Sequence, residues 1–205
     1  VRDLAQVLER RTLRLDRVRL GIVHPADDLD AFGLQLDRLA LTHPDADHIG
    51  VARVVFRHVQ VDRVIEPGLA VGKELYLEVI AGVEGDRSLW SAARTGRTLR
   101  IDGLELAFLW PDAGSVDTLE TNEASAVAIV RYGDFSAVLP GDASAAVEAE
   151  LVRRHGPALR SEVLKAGHHG SSTSTSAEFL HAVDPELVVI SAGRENRYGH
   201  PHADV

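Results

Sequence analysis

Apolar residues recur at helical spacing in several stretches of the chain. Near the start, Leu4, Val7 and Leu8 predict an amphipathic helix. The pattern of SAAVEAELVRRHG predicts another, with Ser144 as its N-cap and Gly156 just past its end. Similar spacing predicts three further helices, in VARVVFRHV, in GKELYLEVIAGV and in SAEFLHAV.

Short apolar runs between these helices predict strands. LDRLALT, residues 36–42, has the length and apolar content of a buried strand, and DRVIEPG, SEVLKAG and ELVVISAG predict three more. Two hairpins are predicted, one turning at Asp102-Gly103 and one at residues 132–134. Because strands and helices alternate around the hairpins without a Gly-, Ser- or Pro-rich linker, we predict one α/β domain spanning residues 1–205, with a mixed sheet or two packed sheets.

The composition limits the chemistry. A hydrophobic content of 45% and a charged content of 26% are typical of a soluble globular protein, and no apolar run approaches the about 20 residues that span a bilayer. The net charge of −9 argues against a basic nucleic-acid scaffold without excluding a nucleic-acid substrate. Since the chain opens on Val1 and holds no Met, we expect a fragment of a longer protein. It holds no Cys either, so any metal ion must be bound by His, Asp or Glu.

The stretch LALTHPDADHIG places two imidazoles and two carboxylates within six residues of a predicted strand, at His43, Asp45, Asp47 and His48. Crowded polar side chains at a strand end cost desolvation energy unless hydrogen bonds, solvent or a metal ion compensate them. Imidazole and carboxylate are the ligands that Zn²⁺ or Mn²⁺ accepts in a cysteine-free protein. The alternative is a polar turn in which Asp45 or Asp47 caps the following helix.

Three later segments also carry polar side chains directly after predicted strands. Asp142 follows a strand and a Pro-Gly turn, where it could reach a shared cleft or cap the next helix. His168 and His169 open a hydroxyl-rich loop that is either a functional loop or a solvated surface loop. The last segment is a pocket for an anionic group or an ordinary charged loop, and it contains Arg194, Arg197, Tyr198, His200 and His202.

In this order, THPDADHIG, LPGDA, KAGHHGSSTSTS and NRYGHPH resemble the metallo-β-lactamase fold and, more narrowly, the soluble domain of ComEC-type DNA-uptake competence proteins. The resemblance runs from about Leu36 to the C-terminus, whereas residues 1–35 match the family poorly and lack its usual Gly-Gln-Gly-Asp-like turn. It implies a four-layer αββα sandwich, here expected to be truncated at the N-terminus. It also implies a dinuclear metal site at one edge of the sandwich.

The resemblance assigns a role to each polar position. It implies one metal ion on His43 and Asp45, where Asp45 replaces the usual histidine, and a second on Asp47 and His48. Two further ligands are implied, a bridging carboxylate for both ions and a last histidine for the second, at Asp142 and His168.

The family's middle histidine has no counterpart, and Asn122 lies near its place, so we expect weak occupancy of the first site. Asp47, His169 and His200 are expected to act in catalysis, with both histidines on the phosphate, although an exchange of roles between His168 and His169 stays open. Contacts with the substrate are expected from Asn122, Ser171, Arg197, Tyr198 and His202.

The implied function is a metal-dependent nuclease that degrades DNA, single-stranded in our expectation, during competence-linked uptake by means of a metal-activated hydroxide. Three Asp and three His ligands favour two Mn²⁺ ions over Zn²⁺. The parent protein would be a membrane DNA-uptake channel carrying this domain on its extracytoplasmic face. One alternative is a small-molecule metallohydrolase of the same fold, such as a lactonase or small phosphodiesterase. The other is a metal-poor domain that binds DNA or protein without cleavage.

Overall fold

The computed structural model describes residues 35–83 and 90–205. The helix predicted around Leu4 lies outside these residues. Within them, no helix has both the length and the apolar character needed to cross a membrane.

The first half of the described chain combines short parallel strands with three helices. β1 pairs with β3, while β2, β4 and β5 form a second parallel sheet in the order β2-β4-β5. In chain order the elements are β1 (Gln35–Leu36), β2 (Leu39–Ala40), α1 (Ala46–Ile49), α2 (Ala52–His58), β3 (Gln60–Val61), β4 (Val64–Glu66), α3 (Glu74–Val83) and β5 (Trp90–Ala92).

The strand predicted over residues 36–42 is divided in two. Leu36 pairs with Val61 in one sheet, whereas Leu39 pairs with Val64 in the other. The break falls at Asp37 and Arg38, where the backbone bends. The sequence pattern missed the break because it cannot say which partner strand each residue meets.

The second half forms a six-stranded mixed sheet in the order β11-β10-β9-β8-β7-β6. Strands β6 to β9 pair antiparallel, and β9, β10 and β11 pair parallel. Two helices connect the parallel strands, α4 (Ala145–His155) and α5 (Ala177–Val183). The strands are β6 (Thr98–Ile101), β7 (Leu104–Trp110), β8 (Val127–Tyr132), β9 (Phe135–Leu139), β10 (Val163–Lys165) and β11 (Leu187–Val189).

Both predicted hairpins are confirmed. Asp102 and Gly103 have φ values of 48° and 84°, the left-handed conformation that a tight two-residue turn requires. The second hairpin joins β8 to β9 through a turn in which Gly133 has a φ of 56°. The helix predicted between Ser144 and Gly156 is also confirmed, although the Ser144 side chain makes no capping hydrogen bond.

Neighbouring residues in the strands face opposite sides, which produces four layers. Ile129 of β8 packs in a cluster with α4 and α5, while the adjacent Ala128 packs against Ile65 of β4. On the other side of β4, Val64 packs in a cluster with α2 and α3. The order helix, sheet, sheet, helix confirms the predicted αββα sandwich.

Candidate metal centre

The site lies where several strands end. The strands β9, β10 and β11 run parallel, so their carboxyl ends share one edge and deliver Asp142, the His168-His169 pair and Ser191 to it. The peptide after β2 joins this edge, because the amide of Ala126 donates to the carbonyl of Thr42 at 2.8 Å.

Gly141 permits this close approach. Its φ is 62°, and a Cβ added to it would lie 2.9 Å from the Cβ of Ser125 and 3.2 Å from that of Thr42. No other residue would fit without displacing these neighbours, so a glycine brings the Asp142 backbone against the first motif. The Asp142 amide then donates to the Ser125 hydroxyl at 3.0 Å.

None of the three aspartates suspected of capping helices has that role, and Asp47 lies inside α1 itself. Asp45 occupies the N-cap position of α1, but its side chain makes no capping hydrogen bond. The N-cap of α4 is Ser144, two residues beyond Asp142. The carboxylates of Asp45 and Asp142 instead lie 3.7 and 3.8 Å from the Nε2 atom of His43.

His43 is buried and presents one free ring nitrogen to the site. Its Nδ1 atom lies 3.1 Å from the Thr42 hydroxyl and 3.3 Å from that of Ser125, while its Nε2 atom has no hydrogen-bond partner. Burial first, and then the nearby charge of His48, lower the pKa of His43 to about 4. The imidazole is therefore neutral near pH 7, the state in which histidine binds a metal ion.

A second set of donors surrounds the Nε2 atom of His169. This atom lies 3.0 Å from the Nε2 atom of His48 and 3.2 Å from Oδ2 of Asp47. The Nδ1–H group of His169 donates to the carbonyl of Ser191 at 2.7 Å, so in the neutral ring the lone pair is on Nε2. A carbonyl in this position fixes the tautomer of a metal-binding histidine.

The carboxylate of Asp142 is the centre of the cluster. Burial by itself raises the pKa of Asp142, but the hydrogen bond and charge of His48, with the charges of His43 and His169, lower it to about 2. The group is therefore ionised at neutral pH. Its Oδ2 atom lies 3.2 to 3.8 Å from four histidines, namely His48, His169, His168 and His43.

Among the described residues, two groups of three have donor atoms within 4.8 Å of one another. One comprises His43, His48 and Asp142, and the other comprises Asp47, His48 and His169. His168 belongs to neither, although its Nε2 atom lies 3.7 Å from Asp142. The geometry thus favours His169 over His168 as the metal ligand. The sequence had left this exchange of roles between the two histidines open.

The backbone of the HHG loop explains how adjacent histidines face different ways. His168 and His169 have φ values of 45° and 57°, in the left-handed region that residues other than glycine seldom occupy. The buried carboxylate of Glu148 accepts hydrogen bonds from the amides of Thr175 and Ser176 at 2.6 and 2.8 Å. The Thr175 hydroxyl in turn accepts a hydrogen bond from the amide of Gly167, which begins the loop, at 2.9 Å. Unusual backbone of this kind persists where the surrounding contacts hold it.

The C-terminal loop brings a series of rings to the site. Arg197 lies over the ring of Tyr198 at 4.7 Å, and Tyr198 stacks on His200 with 5.7 Å between ring centroids. The His200 ring lies 5.7 Å from that of His168. This loop therefore extends the cluster outward to the exposed ring of Tyr198.

The other predicted substrate residues make internal contacts. The amide of Ser172 donates to Nδ1 of His202, which joins the two loops, and Nε2 of His202 donates to the carbonyl of Tyr198 within the C-terminal loop. Ser171 is buried and hydrogen-bonds to the hydroxyl of Thr173. The backbone carbonyl of Asn122 accepts the amide hydrogen of Ser125. Substrate contact by these three side chains stays a prediction.

Sequence reasoning missed three residues of the site. Thr42 and Ser125 hold the rings of His43 and His48, and Ser125 rather than Asn122 reaches into the cluster from the segment where the family's middle histidine was sought. Their positions beside strands were a usable signal. Lys73 is the third residue, and its ammonium group pairs with Asp45. No sequence pattern indicates this contact, because it depends on how α3 lies beside α1.

Comparison with known proteins agrees with this geometry. The family model described as the metallo-beta-lactamase superfamily matches residues 11–194. The chain belongs to the metallo-β-lactamase superfamily. The donor set fits the divalent metal ions that this superfamily binds, because the buried atoms Nε2 of His43 and Oδ1 of Asp142 have no hydrogen-bond partner.

Two relatives of this chain are named as an operon product and as a competence protein. It is 36% identical over 171 residues to ComE operon protein 3 of Bacillus subtilis (strain 168), covering 83% of this chain and 22% of that protein. It is 34% identical over 174 residues to competence protein ComA of Neisseria gonorrhoeae, covering 84% of this chain and 22% of that protein. The chain thus spans about a fifth of the length of these relatives.

A solved structure shows the same fold. The crystal structure of CmlA, a diiron β-hydroxylase from Streptomyces venezuelae, superposes with a TM-score of 0.51 over 75% of this chain and 35% of that one. Sequence identity is 15%, so this likeness concerns the fold alone.

Proposed function

We propose that this chain is a metal-dependent phosphodiesterase that cleaves DNA within a competence protein. The observation that carries the hydrolase assignment is the pair of Nε2 atoms of His48 and His169, 3.0 Å apart and flanked by the carboxylates of Asp47 and Asp142. A divalent ion between them would satisfy all four groups. DNA as substrate is supported by the resemblance of the motifs to DNA-uptake competence proteins, together with one relative that is named a competence protein.

The four groups that would hold the ion are Asp47, His48, His169 and Asp142. A divalent ion bound there would act as a Lewis acid toward water and a phosphate oxygen. Two carboxylates in the set make Mn²⁺ the ion we propose first, with Zn²⁺ as the competitor. Ser191 and Thr42 serve this set by orienting the rings of His169 and His48.

His200 is proposed to bind the scissile phosphate. Partial burial, followed by the neighbouring His202, His168 and His169, lowers the pKa of His200, so its ring is neutral near pH 7 and offers one N–H donor. The ring lies 5.7 Å from that of His168, at the margin of the donor cluster. This position would allow a hydrogen bond to a phosphate oxygen that also faces the metal ion.

Tyr198 is proposed to stack on a DNA base. Its side chain is 58% exposed, and its ring already lies parallel to that of His200 within 25°. Bases of single-stranded DNA stack on exposed aromatic rings irrespective of sequence. Arg197, whose guanidinium group lies 4.7 Å from the centroid of this ring, would then pair with the backbone phosphate next to that base.

We also propose that residues 1–205 form one domain of a larger membrane protein that takes up DNA, with the domain on the extracytoplasmic face. The short coverage of the two relatives, 22% each, supports a larger parent. Cleavage at that location would degrade one strand before or while the other enters the cell.

The direct test is cleavage of a fluorescently labelled single-stranded DNA with Mn²⁺, by wild type and by Asp47→Ala. Asp117→Ala is the matched control, because it removes an exposed carboxylate outside both donor groups. We expect cleavage by wild type and control, and none by Asp47→Ala or after chelation. Intact DNA with metal-loaded wild type would indicate a small-molecule hydrolase of the same fold. No bound metal would indicate a domain that binds DNA or protein without cleavage.

A further inference from the structure

An ammonium group lies beside one of the predicted metal ligands. The Nζ atom of Lys73 pairs with Oδ1 of Asp45 and lies 3.4 Å from the hydroxyl of Thr121. The other carboxylate oxygen of Asp45 faces Nε2 of His43 at 3.7 Å. The carboxylate that would bind the first metal ion is therefore already shared with a cation.

The two donor groups also compete for one atom. His48 is a member of both groups, and its Nδ1 atom lies 3.1 Å from the Thr42 hydroxyl. Only Nε2 remains, and one imidazole nitrogen has a single lone pair for one metal ion. If His48 serves the group with Asp47 and His169, the other group keeps only His43 and Asp142, with Asp45 next to them.

The charges of the site favour the same outcome. The carboxylates of Asp45, Asp47 and Asp142 contribute three negative charges, Lys73 contributes one positive charge, and a histidine that binds a metal ion does so in its neutral form. The remaining two negative charges balance one divalent ion. A second ion at His43 and Asp45 would meet the repulsion of the Lys73 ammonium group.

We propose that Lys73 acts as a fixed monovalent cation at the first metal position, so that the chain binds one divalent ion tightly and a second only weakly. The tight ion is held by Asp47, His48, His169 and Asp142. This inference rests on the metal centre of the proposed function, but it concerns the number of ions and not the substrate. It differs from the dinuclear site that the family resemblance implies.

The test is the number and affinity of bound Mn²⁺ ions, measured by isothermal titration and by elemental analysis after buffer exchange. Wild type should retain one ion per chain. Lys73→Met should bind a second ion about tenfold more tightly or better than wild type does, because one repelling charge is gone. Lys73→Arg, which keeps the charge, should behave as wild type.

The matched control is Arg53→Met. Arg53 pairs with Glu78, and its side chain is 46% exposed against 45% for Lys73, so its removal costs a comparable surface ion pair away from the donor groups. It should leave both Mn²⁺ affinities unchanged. Thermal unfolding of each variant would verify that the fold is retained.

Two equally tight ions in wild type would overturn the proposal, as would a Lys73→Met protein whose second ion binds no more tightly. Electron paramagnetic resonance of wild type decides the matter even if Lys73→Met does not fold. A single-ion Mn²⁺ spectrum is expected, and the spectrum of a coupled pair at equimolar metal would overturn the inference. DNA cleavage with two tight ions would refute this inference alone. One tight ion without cleavage would refute only the nuclease assignment.

Discussion

His48 and His169 face each other with their Nε2 atoms 3.0 Å apart, although 121 positions separate them in the chain. The Ser191 carbonyl holds a proton of His169 on Nδ1, so that in the neutral ring the lone pair is on Nε2. Two nitrogen lone pairs at this distance repel each other unless a proton or a cation lies between them. The flanking carboxylates of Asp47 and Asp142 favour a cation.

The neighbouring histidines of the HHG loop should differ in their effect on metal binding. We expect His169→Ala to lose the tight ion and His168→Ala to retain it, because only His169 belongs to a donor group. His168→Ala should still lower the cleavage rate, since its ring contacts His200. Elemental analysis beside steady-state kinetics would measure both effects. Loss of the ion in His168→Ala alone would reverse the assignment of the two residues.

Glu148 should matter for stability and for the HHG loop. Its buried carboxylate accepts hydrogen bonds from the amides of Thr175 and Ser176. Replacing it by Gln turns one acceptor into a donor that faces an amide, and we expect the free energy of unfolding to fall by about 3 kcal/mol. Urea denaturation would measure the loss. Glu150→Gln, on the same helix but only partly buried and paired with Arg153 and Arg154, should cost much less, and an equal loss there would contradict the role of Glu148.

Tyr198 should contribute to DNA affinity through its ring. Tyr198→Ala is expected to weaken binding of single-stranded DNA by about 1–3 kcal/mol, whereas Tyr198→Phe should bind as wild type does. Fluorescence anisotropy on an Asp47→Ala background would measure binding without cleavage. If alanine and phenylalanine bind DNA equally well, the base does not stack on this residue.

His43 should make the metal-free protein less stable in acid. Its pKa is about 4 in the folded protein against an ordinary value of 6.5, so between these pH values the unfolded chain binds a proton that the folded chain excludes. Stability is therefore full above pH 6.5 and falls by up to about 1.4 kcal/mol per pH unit toward pH 4. Urea denaturation with a chelator present would measure the slope.

His43→Gln is the comparison variant for this pH dependence. It cannot titrate, and it retains a polar group near Thr42 and Ser125. The free energy of unfolding of wild type minus that of the variant should decrease steadily as the pH falls from 6.5 to 4, and it should stay constant above pH 6.5. A difference that does not change with pH would mean that His43 takes up its proton in the folded state.

Several features of this protein follow from its sequence alone. The hairpin turn at Asp102-Gly103 is one, because a tight two-residue turn requires residues that adopt the left-handed backbone conformation, whatever sheet the strands join. The helix from Ala145 to His155 is another, because its apolar spacing and flanking residues act within a few positions of the chain. The first metal motif is a third, since His43, Asp45, Asp47 and His48 are close together before folding.

The tertiary structure decided how these pieces combine. Which of His168 and His169 faces the cluster depends on the left-handed backbone of their loop and on the carbonyl of Ser191 from another strand. The pairing of Lys73 with Asp45 depends on the packing of one helix beside another. The sequence carries no local signal for either, because both are contacts between segments far apart in the chain, and packing alone determines which distant atoms meet.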